Sequence, residues 1–498
     1  MVIWTTRVNL VAVYLQFLGK DLEVEEFKKF RNGKCEIIKA TVYNKDLEFR
    51  NFDLICGESI NDLKITYQWE NESNITAMVN FIKMRQEQGL KTWTQLRFSL
   101  GNGDLKLFYK DFSEMSSVRM RHESICRSIS LPLFQLYQHA PKNGVIACNE
   151  NYLREWIYGV RGFDINEAYG SQFVRCNDFP ISRPYKVEAK ELSRLIKEDK
   201  WFFLVMKSDV KMKIIGLEPY EFEDSYYYFI EQYDYKCMEQ FGKKLSSYKE
   251  QLNWRIYAVY TCDEIGYLDW ALRKKIVKLY GKRKYLKKKK DPAEKMIKEQ
   301  LKILYGKGLA LKESIDSNDD VRKESFWLIS YINAPLSYHA LARNRYEIIR
   351  MMKKLNFEYI AVDTDGIKTN CRHSRRIFAE RNKEIREENA AAGFINTKIG
   401  LWKYEGYYPN FIQFGKKVYV YEHCGEIVCK FAGCREKAWK EFFKNKKPIE
   451  AFLYLDSENP IIPKGIIKPY LTMENGQFKV EKVVMSYGIN GIDKEESE

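Results

Sequence analysis

The chain has 498 residues, of which 45% are hydrophobic and 15% aromatic, so it can form several folded domains and is not a disordered chain. Lysine and arginine outnumber aspartate and glutamate by 83 to 68, and the formal net charge of +15 favours a polyanionic partner such as nucleic acid. The most apolar early stretch, residues 9–18, is too short to span a membrane, and the N-terminus lacks a signal-peptide pattern. We therefore expect an intracellular, cytoplasmic protein with no membrane partner.

Hydrophobic periodicity predicts a mixture of strands and helices. Alternation typical of strands occurs in residues 34–49, 201–209, 357–368 and 416–421. Helical spacing of apolar residues occurs in residues 75–88, 268–290, 292–305, 337–354 and 374–391. This mixture, with long excursions between acidic motifs, predicts an α+β enzyme with inserted subdomains.

The first acidic motif lies in residues 162–172, where apolar residues lead to Asp164 and a short helix is predicted to follow. Asp164 would then end a strand beside helix-start amides, which attract phosphate oxygens. Aspartate is also a common helix N-cap, so this residue alone is weak evidence for a site.

A lysine-rich segment, residues 282–306, predicts a cationic helix. Asp291 is a suitable N-cap, and Lys295, Lys298 and Lys302 recur at helical spacing on one face. Together with the basic residues before Asp291, that face suits a triphosphate or a nucleic-acid backbone. An ordinary amphipathic helix has a similar pattern.

The second acidic motif is the most informative feature of the chain. In residues 357–368, an apolar, β-prone run brings Asp363 and Asp365 to a glycine turn. Residues i and i+2 of a strand face the same side, so these anions repel each other unless a cation, usually a divalent metal, neutralises them. A solvated turn is the alternative. Asp164, the lysine-rich helix and this pair occur in the order that two-metal nucleotidyl transfer requires.

At these residues the sequence resembles family B DNA polymerases, and in particular their protein-primed branch of small phages and linear plasmids. The matching segments are 164–169 for motif A, 298–306 for motif B, 363–365 for motif C, 417–419 for the Lys-x-Tyr motif and 430–433 for the stretch before the thumb. The resemblance implies an α+β right-hand polymerase with palm, fingers and thumb, and a vestigial RNase H-like exonuclease domain at the N-terminus.

The resemblance also implies a division of the chain. The expected segments are 1–105 for the exonuclease-like domain, 106–214 for the first part of the palm, 215–273 for a terminal-protein-region insertion, 274–309 for the fingers, 310–333 for a short second insertion, 334–435 for the rest of the palm, and 436–498 for the thumb and tail. Because the second insertion is short, we expect weaker strand displacement or processivity.

Metal ligands and catalytic residues follow from the same resemblance. Asp164 and Asp365, with the backbone carbonyl of Ile165, would bind two Mg²⁺ ions, for which Mn²⁺ could substitute. Asp363 would assist them as the third catalytic carboxylate.

Nucleotide contacts are implied for five side chains. Tyr169 would stack under the sugar and exclude a 2′-hydroxyl, although core packing would also explain it. Lys298 would hold the triphosphate, aided by Arg283 or Lys287, and Tyr305 would line the nascent base pair.

Primer contacts are implied for Lys417, Tyr419 and Lys430, although an alternating edge strand would also explain the first two. The expected partners are a DNA template and primer, deoxynucleoside triphosphates (dNTPs) and a priming terminal protein. Apart from that protein we expect a monomer in the cytoplasm, such as that of a phage-infected host.

Three departures from the family pattern keep alternatives open. Residues 167–170 replace the usual Ser-Leu-Tyr-Pro, residues 302–303 replace Asn-Ser, and Gly366 replaces serine. The change at 302–303 leaves open a nucleotidyltransferase with relaxed use of a template. A non-catalytic, nucleic-acid-binding polymerase relic is the other alternative, and the three intact aspartates argue against it.

The N-terminal motifs depart further. The chain starts too late for the first exonuclease motif; residues 5–9 resemble the second and residues 72–90 the third, with Asn9 and Asn74 where aspartates belong. Asparagine is neutral and binds divalent cations far more weakly than a carboxylate does. We therefore expect an exonuclease fold without 3′–5′ proofreading.

This expectation predicts that a mismatched 3′ end incubated with Mg²⁺ and no nucleotide stays intact, because the exonuclease ligands are lost. Primer length on a denaturing gel is the measurement. Trimming that persists in the Asp164→Ala variant would contradict it, since that change removes the polymerase site and leaves any exonuclease site untouched.

Overall fold

The computed structural model describes both ends of the chain in part and its middle most fully. The described residues are 2–5, 24–29, 35–42, 45–51, 77, 80, 130–211, 217–222, 224–240, 255–291, 294, 297–298, 300–302, 311–314, 325–328, 334–430, 450, 461–474 and 477–488.

The strands are numbered in chain order. They are β1 (Val2–Thr5), β2 (Val24–Lys29), β3 (Cys35–Val42), β4 (Lys45–Asn51), β5 (Ile146–Cys148), β6 (Ile157–Ile165), β7 (Phe179–Pro180), β8 (Tyr185–Val187), β9 (Phe202–Ser208), β10 (Tyr220–Phe222), β11 (Ser225–Glu231), β12 (Arg255–Thr261), β13 (Ile265–Gly266), β14 (Leu311–Ser314), β15 (Ser325–Leu328), β16 (Tyr359–Asp363), β17 (Gly366–Thr369), β18 (Trp402–Gly415), β19 (Val418–His423), β20 (Glu426–Lys430), β21 (Ile461–Glu474) and β22 (Gln477–Gly488).

The helices are numbered in the same way. They are α1 (Leu131–His139), α2 (Ala168–Arg175), α3 (Leu192–Lys197), α4 (Gln232–Gln240), α5 (Trp270–Lys288), α6 (Ala334–Lys354) and α7 (Ser374–Ala391).

A seven-stranded sheet, in the order β20-β19-β18-β6-β17-β16-β5, joins distant parts of the sequence. Its neighbouring strands are all antiparallel. β16 and β17 form a hairpin in which Asp363 pairs with Gly366, and β17 lies beside β6 so that Gly366 pairs with Asp164. The two acidic motifs therefore meet at one end of the hairpin.

One face of this sheet is buried under α6 and α7. Phe163 stacks on Phe378 of α7 with ring centroids 3.9 Å apart, and Ile165, Val362 and Ile367 belong to the same buried cluster. Each such side chain contributes about 1.5–3 kcal/mol when it is fully buried. Because side chains alternate along a strand, Asp164 and Asp363 lie on the opposite face.

A second, five-stranded sheet has the order β10-β11-β9-β12-β8. One of its faces packs on α1 and α6 through residues such as Phe203 and Phe229, and the other buries Leu204 and Tyr228. The segment 215–273, expected as an insertion, supplies β10, β11 and β12. β11 and β12 pair with β8 and β9, which precede that segment, and β10 pairs with β11, so all five strands belong to one sheet.

The remaining strands form smaller sheets. The N-terminal strands have the order β1-β4-β3-β2, with β1 parallel to β4, and the pairs β14–β15, β21–β22 and β13–β7 are two-stranded. None of the helices in the described ranges is long and apolar enough to cross a membrane.

Most predicted elements are confirmed. The strand predicted at 201–209 is β9, that at 416–421 is β19, and α5, α6 and α7 occupy three predicted helical segments. The alternation predicted at 34–49 contains β3 and most of β4, and that at 357–368 contains β16 and most of β17, with a turn at the expected place before Gly366.

Two predicted helices are described only in part. In residues 75–88, positions 77 and 80 are helical, and in residues 292–305 the described positions from 294 to 302 are helical. Tyr305 lies outside the described residues.

A buried ion-pair network ties α6 to α7 and β18. Glu347 accepts two hydrogen bonds from Arg381, at 2.9 and 2.7 Å, and a third from Trp402 Nε1 at 3.0 Å. Burial would raise the pKa of Glu347, but Arg381, Arg175 and Trp402 outweigh it and lower the pKa to about 2. The charged carboxylate therefore stabilises the folded state.

The pKa of Glu347 is lower in the folded state than in the unfolded chain. The charged Glu347 therefore stabilises the fold fully at a pH above the unfolded pKa, and this stabilisation is lost as the pH falls toward the folded pKa. The shift corresponds to about 3 kcal/mol, of which about 2 kcal/mol is lost by about pH 3. Glu347→Gln should therefore reduce the free energy of unfolding near neutrality and flatten its acid dependence in denaturant titrations. The exposed Glu380→Gln is the matched control, and equal effects of the two changes would contradict the prediction.

Candidate active site

The carboxylates of the two acidic motifs meet where β6 ends and the β16–β17 hairpin turns. Besides the pairing of Gly366 with Asp164, the amide of Ile165 donates a hydrogen bond to the carbonyl of Asp365 at 2.9 Å. A Cβ built on Gly366 would lie 3.4 Å from Asp164 Oδ1. The Asp164 carboxylate therefore lies at van der Waals distance from the hairpin backbone at Gly366.

Burial and neighbouring negative charges dominate the electrostatics of Asp164 and Asp365. Burial, with the negative charges of Asp365 and Glu405, raises the pKa of Asp164 to about 7. Burial and the charge of Asp363 raise the pKa of Asp365 to about 6. Both shifts show that the ionised carboxylates lack enough positive charge around them, which a bound cation would supply.

A lysine–glutamate pair lies beside the aspartates and was not predicted. Lys368 Nζ is 2.8 Å from Glu405 Oε2, and both groups act on the pKa of Asp164, in opposite directions. Lys368 could have been found, because it lies two residues after Gly366 on the same strand face. Glu405 could not, because it lies at a β-bulge where β18 shifts register against β6.

Asp363 is held differently from the other two aspartates. Its Oδ1 is 3.0 Å from Nζ of Lys417, which follows β18 in a left-handed conformation (φ 58°). The Lys-x-Tyr motif is thereby placed directly beside the motif C hairpin. In the described residues, no three His, Cys, Asp or Glu side chains are arranged to hold one metal ion.

The available donors nevertheless suit magnesium. The Asp164 and Asp365 carboxylates and backbone carbonyls such as that of Ile165 are all oxygen ligands, which Mg²⁺ prefers, and Mg²⁺ is commonly bound by one or two carboxylates with water and substrate phosphates. Asp363 is instead paired with Lys417. The set proposed from sequence thus fits the ion chemically.

Tyr169 lies beside the hairpin on α2. A Cβ built on Gly144 would be 3.0 Å from the Tyr169 hydroxyl and 2.8 Å from Cγ2 of Thr364. Tyr169 also packs against the buried cluster of the five-stranded sheet. It therefore has both a core contact and a place next to the carboxylates.

The basic residues predicted to hold a triphosphate differ in their ion-pair contacts and in their exposure. Arg283 of α5 is held by two carboxylates, 2.8 Å from Glu167 and 2.7 Å from Glu294. Lys298 is half-buried in the partly described helix after Asp291. Burial raises the pKa of Glu167, and the positive charge of Lys298 opposes that shift. Lys287 is exposed on α5.

Glu167 was not assigned a role from sequence. It precedes α2 in a left-handed conformation (φ 54°) and connects motif A to α5 through Arg283. The departure of motif A from the usual Ser-Leu-Tyr-Pro supplied a signal, because a charged residue in a buried motif requires a partner.

The other two predicted primer contacts, Tyr419 and Lys430, lie on neighbouring strands, and Tyr419 belongs to a buried aromatic cluster. Tyr419 is 6% exposed and stacks on Phe411 with ring centroids 5.4 Å apart. Lys430 pairs with Tyr419 across β19 and β20 and is exposed. Asn9 and Asn74, the predicted lost exonuclease positions, lie outside the described residues, as does the rest of the 430–433 motif.

Comparison with solved structures identifies similar folds. Phi29 DNA polymerase in an orthorhombic crystal form matches with a TM-score of 0.59 and 16% identity, covering 98% of this chain and 91% of that chain. Phi29 DNA polymerase complexed with primer-template DNA and incoming nucleotide substrates matches with a TM-score of 0.59 and 14% identity, covering 98% and 91%. The fold is similar to that of Phi29 DNA polymerase. No family model and no curated protein matches the chain.

The similarity to Phi29 DNA polymerase extends over nearly the whole chain, which agrees with the α+β fold predicted from the motifs. At this level of identity, the similarity concerns the fold alone. The chemistry of the site must therefore be argued from its own residues.

Asp365→Asn removes one of the two neighbouring buried charges. At a pH above the pKa of both carboxyl groups, and without divalent cations, it should therefore raise the melting temperature. It should also abolish the stabilisation that Mg²⁺ gives the wild-type protein, because a ligand is lost. Thermal melts with and without Mg²⁺ measure both effects.

Asp224→Asn is the matched control for that change. Asp224 is exposed in the turn before β11, and asparagine tolerates its left-handed conformation (φ 56°). Equal Mg²⁺ stabilisation of wild type and Asp365→Asn would contradict the metal-site assignment.

Proposed function

We propose that this protein is a DNA-directed DNA polymerase that transfers nucleotides from dNTPs to a primer 3′ hydroxyl. The carrying observation is the meeting of Asp164, Asp363 and Asp365 at one end of a hairpin in an antiparallel sheet. The similarity of the whole fold to Phi29 DNA polymerase supports it.

Asp164, Asp365 and the Ile165 carbonyl would hold two magnesium ions, with Mn²⁺ as a substitute. When bound, the ions supply activation of the attacking hydroxyl and neutralisation of the departing pyrophosphate. The raised pKa values of both carboxyl groups support this proposal, because a bound cation would offset the burial and the neighbouring negative charges that raise them.

On the nucleotide side, Tyr169 would exclude the 2′-hydroxyl of a ribonucleotide. Its hydroxyl lies near Gly144 and Thr364, next to the carboxylates, so a sugar bound at the metals would meet its ring. Lys298 would bind the triphosphate, with Lys287 as the exposed helper. Arg283 would have to exchange its contacts with Glu167 and Glu294 to reach the nucleotide.

On the primer side, Lys417 would hold the primer end while its ammonium group stays close to Asp363. Tyr419 is fixed by its packing on Phe411, and Lys430 lies on the neighbouring strand. These residues would position the 3′ hydroxyl, because positioning together with charge stabilisation provides most of the catalysis in phosphoryl transfer.

Priming by a terminal protein is the second part of the proposal, and it rests on the motif resemblance and on the insertion at 215–273. The five-stranded sheet that contains this insertion packs against α6 and Tyr169, so a protein bound to it would be near the site. The absence of proofreading rests on Asn9 and Asn74 and stays part of the proposal.

Incorporation of labelled dNTP with Mg²⁺ tests the function. Asp365→Asn should reduce incorporation by about 10³-fold, corresponding to about 4 kcal/mol of lost transition-state stabilisation, while DNA binding persists. Asp224→Asn should retain wild-type activity. Unchanged incorporation in Asp365→Asn would contradict the proposed site.

Three arms of the same assay separate the alternatives. Incorporation that requires a template excludes a template-relaxed nucleotidyltransferase, and incorporation onto a DNA primer separates elongation from initiation. Labelled nucleotide covalently attached to an added terminal protein would support protein priming. No incorporation in any arm by the wild-type protein would favour a non-catalytic relic.

A further inference from the structure

We propose that Asn344 and Arg345, two consecutive residues of α6, are positioning residues that hold the hairpin turn of Asp363 and Asp365 in the conformation needed for metal binding. This inference rests on the proposed function, because it concerns the same carboxylates. According to this proposal, the conformation of the turn is maintained by α6, a helix that carries none of the predicted site residues.

The turn has a backbone conformation that requires external support. Thr364, between the two aspartates, has a φ of 62°. A β-branched residue is strained in this left-handed region, and such strain persists only where surrounding contacts enforce it. The turn also contains a short local contact in which the amide of Asp365 donates to the carbonyl of Asp363 at 2.6 Å.

Asn344 holds one side of the turn. Its Nδ2 donates a hydrogen bond to the carbonyl of Thr364 at 2.9 Å, and the residue is fully buried. In the described part of the chain, Oδ1 of Asn344 is buried without a hydrogen-bond partner. Because a buried donor must be paired, this hydrogen bond ties the Asn344 side chain to the backbone of the turn.

Arg345 holds the other side through a loop. Its guanidinium forms two 2.7 Å hydrogen bonds with Asp234 of α4 and donates to the carbonyl of Asn143 at 3.1 Å. Two residues later, the carbonyl of Val145 accepts the amide of Thr364 at 2.8 Å. The carbonyl of Thr364 is therefore held by α6 directly, and its amide is held by the end of a loop that Arg345 of α6 anchors at Asn143.

The intervening Gly144 brings the loop close to the turn. A Cβ there would lie 2.8 Å from Thr364 Cγ2 and 3.2 Å from Thr364 Cα. Without the contacts from α6, Thr364 could relax to an unstrained conformation, and the flanking carboxylates would change direction. The expected defect is therefore in metal binding and turnover, with little effect on nucleotide affinity.

The chain offers a closely matched control in Asn389 of α7. It is 1% exposed, its Nδ2 donates to the carbonyl of Ile399 at 3.1 Å, and its Oδ1 is also buried without a partner among the described residues. Changing Asn389 to leucine removes the same type of hydrogen bond at a place away from the turn. A difference between the two variants therefore reports on position and not on the loss of a buried amide.

The experiment compares Asn344→Leu and Asn389→Leu in the full-length protein. Binding of Mn²⁺ alone is measured by electron paramagnetic resonance, together with kcat and KM for dNTP incorporation and with thermal stability. We expect Asn344→Leu to weaken the Asp365-dependent Mn²⁺ site at least fivefold and to lower kcat at least tenfold, with KM for dNTP changed less than threefold. Asn389→Leu should lose similar thermal stability but keep both values within twofold.

Thr364→Gly provides a rescue test, because glycine adopts positive φ without strain. Introduced into Asn344→Leu, it should restore kcat and Mn²⁺ affinity at least threefold, and it should not improve Asn389→Leu. Equal effects of the two leucine variants on metal affinity and kcat, or no Asp365-dependent Mn²⁺ site in the wild type, would overturn the proposal. If the wild type binds Mn²⁺ but does not incorporate dNTP, the proposed function fails while the metal measurements still decide the role of Asn344.

Discussion

The burial of Asp164 and Asp365 close together, where β6 pairs with β17 and the turn before β17, sets the requirement for the candidate site. Two carboxylates at such close quarters cost free energy unless a cation joins them. Burial of apolar side chains on the opposite face of the same strands offsets this cost. Phe163 and Ile367, which flank the charged positions, lie in the cluster under α6 and α7.

Helix α6 connects the supporting parts of the molecule. Along its length, His339 contacts Glu231 at 2.6 Å, Arg345 binds Asp234, and Glu347 binds Arg381. Its polar side chains therefore join the five-stranded sheet on one side to α7 and the seven-stranded sheet on the other. Buried charges of this kind must be paired, so the fold fixes the relative positions of the elements that carry the pairs.

Local patterns in the sequence were sufficient to predict many of the helices and strands. The apolar spacing of residues 337–354 and 374–391 predicted α6 and α7, and the alternation at 201–209 predicted β9, because these periods follow directly from helix and strand geometry. The long strand β18 was not predicted. It contains Gly406 and Pro409 and a bulge, and each interrupts the alternation by which a strand is recognised.

Some residues of the candidate site were predicted from motifs, and others became evident only from the structure. Each of Asp164, Asp363 and Asp365 taken alone also fits a helix cap or a turn, and they were predicted because the ordered set of motifs around them resembles a known family. Glu167, Lys368 and Glu405 acquire importance only through neighbours distant in sequence, such as Arg283, which lies 116 residues from Glu167.

The residue types of the candidate site can be read from the sequence: three carboxylates, a lysine-rich helix and a Lys-x-Tyr strand. How these residues meet depends on the packing and strand pairing of distant segments. Strand register sets which carboxylates face each other, the Lys417–Asp363 contact depends on a turn after β18, and Asn344 reaches Thr364 because α6 packs across the hairpin. Such contacts join residues through packing and register, and a local pattern carries no information about either.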